Sequence, residues 1–137
     1  MCGLIVDGHH VHPATLRVAL AAKGAERLVL VTDAMPTVGS DQTEFELAGQ
    51  RIVCDGDRCT SADGTLAGSN LNMAAAVRNA ARLMDVDAAT AVRMASEVPA
   101  SVMGLAAERG SISAGMRADL VLVDAENNVT ETWISGQ

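Results

Sequence analysis

Apolar and polar positions along the chain fall into short hydrophobic runs separated by helical periods. Leu28-Val29-Leu30-Val31 is an unbroken apolar run. It is too short for a typical helix and suits a parallel strand covered on both faces. Asp33 stands where that strand would end, ahead of Pro36 and Gly39. A second run, Gly3–Gly8, also ends in an acid and a glycine. Between the two, Leu16, Ala19, Leu20 and Lys23 recur at helical spacing behind Pro13, and Lys23-Gly24 closes the period. Proline at a helix start, then a cation and a glycine at its end, fit the chemistry of helix termini. Residues 4–34 therefore predict strand, helix, strand: a βαβ unit with parallel strands.

The next stretch, 34–69, is long and turn-rich. Thr43–Leu47 alternates, and Arg51–Cys54 and Arg58–Thr60 flank Asp55-Gly56, which predicts a hairpin. The whole reads as a β-excursion at about residues 40–62, placed over the end of the strand that carries Asp33. Cys54 and Cys59 fall near each other across that hairpin and read as two small side chains. Leu66-Ala67-Gly68-Ser69 is expected to be a turn into a helix, with Ser69 or Asn70 as its N-cap. Met73, Val77, Ala80 and Met84 form its apolar stripe. Asp87 opens a further helix with Ala91, Val92, Ala95 and Val98 inward, and Pro99 breaks it. From residue 110 the pattern becomes all-β. Ala118–Asp124 and Val129–Ser135, joined at Asn127-Asn128, predict an antiparallel pair in a separate, smaller sheet. The division is thus 1–109 and 110–137.

Composition narrows the function. Hydrophobic residues make up 49% of the 137, but aromatics only 1%, Phe45 and Trp133 being the whole set. The core must be aliphatic, and stacking platforms for bases are not expected. A net charge of −7 repels a phosphate backbone, so nucleic acid is not an expected partner. No apolar run approaches the roughly 20 residues of a membrane span. Met1-Cys2-Gly3-Leu4 lacks the character of a signal peptide, and three cysteines make no disulfide framework. The expectation is a cytoplasmic protein without a membrane partner.

His9, His10 and His12 are the only histidines, directly after Asp7-Gly8. His10 and Asp33 both lie past the carboxyl ends of consecutive parallel strands, where α/β folds place their chemistry. They are expected to face one pocket. His-His-x-His in a loop is not a tetrahedral zinc spacing, and no cluster of cysteines or carboxylates accompanies it. A self-contained metal site is therefore not expected. One of the three histidines reads as a substrate or transition-state contact and the other two as loop or surface residues; His12 receives no role.

Asp7-Gly8-His9-His10, Leu30-Val31-Thr32-Asp33-Ala34, Leu66-Ala67-Gly68-Ser69, Ala76-Val77-Arg78-Asn79 and Gly115-Met116-Arg117-Ala118-Asp119-Leu120-Val121 occur in that order. Together they resemble the C-terminal part of the N-acetylglucosamine-6-phosphate deacetylases, in the amidohydrolase superfamily. The resemblance implies an α/β fold: the C-terminal part of a metal-dependent (β/α)₈ barrel plus closing strands of a small β-sandwich. It implies the last two barrel strands in 1–109 and sandwich strands in 110–137. It implies Asp33 as the catalytic aspartate and His10 as the histidine that polarises the acetamide carbonyl. Asp7, Gly8 and His9 would share that substrate loop, and Leu66, Ala67 and Gly68 a further substrate-contacting turn. The cofactor implied is a divalent metal, zinc or iron, whose ligands have no counterpart in this chain. The ligand implied is an amino-sugar phosphate, and half a barrel implies a homo-oligomer or a completing chain. The chain alone is expected to be catalytically silent. The sequence also admits two other readings: a segment of a dihydroorotase-like or imidazolone-hydrolysing amidohydrolase, and a non-catalytic α/β association module.

Overall fold

A computed structural model describes residues 1–137. The chain opens with β1 (Cys2–Ile5), α1 (Pro13–Lys23), a 3₁₀ turn at Ala25–Arg27, and β2 (Leu28–Val31). The two strands are parallel neighbours, with Cys2 opposite Leu28 and Ile5 opposite Val31. This is the expected βαβ unit. Leu4, Leu28 and Leu30 point to one face and are buried in a core shared with Leu16 of α1. The opposite face is not covered: Val31 is 38% exposed. The expectation of burial on both faces is corrected here, because no element of this chain crosses that second face.

Pro13 occupies the start of α1, where a missing N–H leaves no hydrogen bond unmade. His12 is the N-cap, its Nδ1 accepting from the Ala14 N–H at 3.2 Å. A residue without a role in the sequence reading thus has a structural one.

The excursion is a meander of β3 (Glu44–Leu47), β4 (Gln50–Asp55), β5 (Arg58–Thr60) and β6 (Leu66–Ser69), all antiparallel. It extends beyond the expected limit near residue 62. Cys54 and Cys59 lie opposite each other across the β4–β5 hairpin, 4.0 Å apart at Cα, and are joined as a disulfide that leaves Cys2 free. The odd cysteine count concealed one pair held by local register. With Ile52 the two sulfurs form a small second core against Met35, Phe45 and Ala67.

Leu66–Ser69 is a strand and not a turn. It pairs with β5, and its end also bridges in parallel to the extension of β2: Ser69 N–H donates to the Asp33 carbonyl and Met35 N–H to the Ser69 carbonyl, each at 2.9 Å. A single parallel bridge thus ties the end of β6 to the chain leaving β2. The cap of the following helix moves accordingly. Asn72, not Ser69 or Asn70, caps α2 (Met73–Met84), its Oδ1 accepting from Ala75 N–H at 2.8 Å. Ser69 Oγ is engaged elsewhere, donating to the Thr32 carbonyl at 2.5 Å and accepting from Leu71 N–H.

α2 buries Ala76, Val77, Ala80 and Met84, while Met73 stays exposed in the first turn. α3 (Ala88–Ala95) is capped by Asp87 and buries Ala91 and Met94. Val92, expected inward, lies one position round the helix and is 45% exposed. The break after α3 falls at Ser96, ahead of Pro99, which sits in the first turn of α4 (Glu97–Val102). A proline there has no N–H to return to the preceding turn, so the chain restarts as a new helix at whose start that N–H is not needed.

β7 (Leu120–Val123) and β8 (Val129–Trp133) form an antiparallel pair that is a sheet of its own, as expected. None of their residues is buried. Arg78 of α2 reaches across, donating to the Asn127 carbonyl in their turn at 3.0 Å. No helix is long and apolar enough to cross a membrane.

Candidate active site

The site is built from the first residues past β1 and β2. After Ile5 the chain turns over Asp7, whose Oδ1 accepts from the backbone N–H of His9 at 2.9 Å and of His10 at 3.0 Å. This is an Asx turn, in which a short acidic side chain replaces a backbone acceptor. Gly8 takes a φ of 83°, which the turn needs and a side chain resists. The other carboxylate oxygen, Oδ2, lies 2.6 Å from Nδ1 of the His10 ring. Asn79 of α2 steadies the same turn by donating to the Val6 carbonyl at 2.8 Å.

The Asp7 side chain is almost fully buried. Burial pushes its carboxyl up, but the His10 N–H, the His10 ring, the His9 N–H and the charge of His10 outweigh that and hold it below the usual range. His10 Nε2 faces the other way, 3.9 Å from Asp33 Oδ2. That exceeds hydrogen-bond length, so the two groups face each other without bonding directly.

Asp33 has a φ of 54°, in the left-handed region. Its carbonyl is held by Ser69 N–H and its side chain is 45% exposed. Gly68, just before, has a φ of 83°, and a Cβ there would come within 2.5 Å of the Met35 side chain. Gly68 thus leaves room for the Met35 side chain against β6.

Of the residues singled out from sequence, Asp7, His10 and Asp33 come together. Gly8 and His9 share their loop, with the His9 ring exposed and making no hydrogen bond. Leu66, Ala67 and Gly68 lie half-buried on β6, whose end reaches the Asp33 backbone. Asn79 and Ser69 are structural supports that sequence reasoning missed as such. Asp-x-x-His with a glycine second was the available signal for the Asx turn; nothing local marked Asn79. Two surface depressions lie on the excursion, one lined by Gln50, Arg51, Ser61, Ala62 and Asp63 and the other by Glu44, Phe45, Glu46, Gly49 and Arg51, and neither includes Asp33.

An acid and a histidine thus stand past the carboxyl ends of two parallel strands, where α/β folds place their chemistry. The model of the amidohydrolase family matches residues 1–137, and the chain belongs to that family. It is 44% identical to an N-acetylgalactosamine-6-phosphate deacetylase of Shewanella sp. (strain ANA-3), over 99% of this chain and 34% of that protein. It is 42% identical to a putative N-acetylgalactosamine-6-phosphate deacetylase of Escherichia coli (strain K12), over 98% of this chain and 80% of that protein. The crystal structure of the N-acetylglucosamine-6-phosphate deacetylase of Pasteurella multocida superposes with a TM-score of 0.93 at 32% identity, over 98% of this chain and 35% of that one. A mutant of the Mycobacterium smegmatis enzyme in complex with N-acetyl-D-glucosamine-6-phosphate superposes at 0.87 and 34% identity, over 98% of this chain and 36% of that one. Apart from the Escherichia coli (strain K12) protein, the chain spans about a third of the length of these proteins.

Amidohydrolases are in general metal-dependent. The side chains here do not fit a metal by themselves: no three of His, Cys, Asp and Glu converge in a way that could hold one. Both Asp7 oxygens are already engaged with His9 and His10.

Proposed function

We propose that this chain carries the proton-transfer end of an amino-sugar 6-phosphate deacetylase. The observation that carries the reading is the facing pair, His10 Nε2 and Asp33 Oδ2 at 3.9 Å, past the ends of parallel β1 and β2. The names of the relatives and the sugar phosphate bound in one of them support the substrate class. Both the galactosamine and the glucosamine series occur among those names.

Hydrolysis of an acetamide needs a base for the attacking water and a proton for the departing amine. Asp33 is exposed, and it takes the water proton and returns it to the amine nitrogen. His10, with both ring nitrogens protonated, donates from Nε2 to the carbonyl oxygen, where negative charge develops. Gly8 and His9 shape the substrate loop beside it, and Leu66, Ala67 and Gly68 border it from β6. In this reading residues 1–109 are the closing part of a (β/α)₈ barrel, with the uncovered face of β1 and β2 turned to its interior, and 110–137 belong to a small sandwich. The metal, zinc or iron, is held by residues outside these 137, so the chain alone is catalytically silent. The product of such chemistry is a charged sugar phosphate retained inside cells, which fits a cytoplasmic setting.

The test is a deacetylase in which these 137 residues replace the matching third. Asp33→Asn in that protein is expected to lower kcat by about 10²–10⁴-fold with metal content unchanged. Near-normal kcat in the variant overturns the assignment.

A further inference from the structure

We propose that Asp7 is a positioning residue: it fixes His10 with the proton on Nδ1 and so aims Nε2 at Asp33 and the substrate carbonyl. This rests on the reading of His10 as the substrate-facing histidine.

The Asp7 side chain is 1% exposed, so it does not reach a ligand. Its oxygens divide the work. Oδ1 takes the His9 and His10 backbone N–H groups, which fixes the plane of the carboxylate. Oδ2 is thereby brought to 2.6 Å from the ring Nδ1. An ionised carboxylate only accepts, so the hydrogen between them belongs to Nδ1. Asn79 fixes the turn from the other side through the Val6 carbonyl. Neutral His10 then has its lone pair on Nε2, facing Asp33. Nε2 becomes a donor only when the ring takes a second proton. The charged groups that face the ring are Asp7 at Nδ1 and Asp33 at Nε2. The pair thus sets which His10 nitrogen meets the substrate and in which protonation state it donates.

The experiment is long-range ¹H–¹⁵N correlation on the ¹⁵N-labelled 137-residue chain, at a pH where the rings are neutral. The signals are assigned with His9→Gln and His12→Gln. Histidine in water prefers the hydrogen on Nε2. The expected result is the reverse at His10: a pyrrole-type shift for Nδ1 and a pyridine-type shift for Nε2. In Asp7→Asn the amide nitrogen donates to Nδ1 and the tautomer is expected to switch to Nε2–H. A purely packing role for Asp7 predicts no such switch. Wild-type His10 found as the Nε2–H tautomer overturns the proposal by itself, as does an unswitched Asp7→Asn chain. Should Asp7→Asn not fold, the wild-type spectrum still decides. The readout needs no substrate, metal or activity, so its failure is separate from failure of the deacetylase reading.

Discussion

A left-handed backbone at a non-glycine residue costs roughly 1–2 kcal/mol, and aspartate tolerates it better than most side chains. Asp33 adopts it at the point where β2 gives way to the excursion. Ser69 holds that backbone in place through the Asp33 carbonyl and the Thr32 carbonyl. Asp7 is the opposite case, a buried acid whose charge the fold favours. Its carboxyl is held low by its bonds to His10 and His9 despite burial. A group with a depressed folded value stabilises the fold above its unfolded value, and that contribution fades as pH falls through the folded one. The relevant window lies below the ordinary aspartate value of 3.8. Urea midpoints measured down through that window should fall more steeply in the wild type than in Asp7→Asn. Parallel curves would mean that the Asp7 bonds contribute nothing to stability.

At the scale of elements, α1 shows how a cap can be overlooked. Ser, Thr, Asp and Asn are the usual N-caps, yet here a histidine ring nitrogen accepts from Ala14 N–H. His12→Ala should destabilise by about 0.5–1 kcal/mol, the usual cost of losing a cap, while leaving the site geometry intact. A thermal melt unchanged from wild type would show that the exposed ring gives no net capping. The βαβ unit, the β4–β5 hairpin and the separate β7–β8 pair were legible because each rests on local periodicity or a tight turn. β6 was not. Leu66-Ala67-Gly68-Ser69 has little intrinsic strand preference, and it is a strand because β5 and the Asp33–Met35 backbone offer it hydrogen bonds. Such pairing leaves no mark in the four residues themselves. The same non-local cause moved the α2 cap from Ser69 to Asn72. For the site, spacing alone brought His10 and Asp33 to one end of parallel strands. The inward aim of Asp7 needed the coordinates, because an acid before a glycine reads equally well as facing a ligand.

The whole molecule covers its apolar surface incompletely. Only 20 of the 137 residues are buried, and 12 of them form the βαβ–α2–α3 core and three the small excursion core. β1 and β2 form a two-stranded sheet, so β1 has an unpaired edge, and Val31 on their open face is exposed. β7–β8 exposes Val121 at 56%, Leu122 at 48%, Val123 at 43% and Trp133 at 42%, with Ile134 beyond it at 63%. Apolar surface of this kind, together with a free strand edge, favours association with another chain. We expect the isolated chain to form a dimer or a larger assembly in solution. Trp133 is the only tryptophan and lies on the exposed hairpin, so its fluorescence should shift to the blue as concentration rises. Val121→Thr with Val123→Thr keeps strand-favouring side chains while removing apolar surface. Light scattering should then report a smaller particle and a red-shifted Trp133 if the hairpin is the contact. A particle of unchanged size would move the contact to the β1 edge and the open face beside Val31. A wild-type chain that stays monomeric at high concentration and binds no hydrophobic dye would overturn the expectation, and with it the reading of these strands as surfaces that another chain completes.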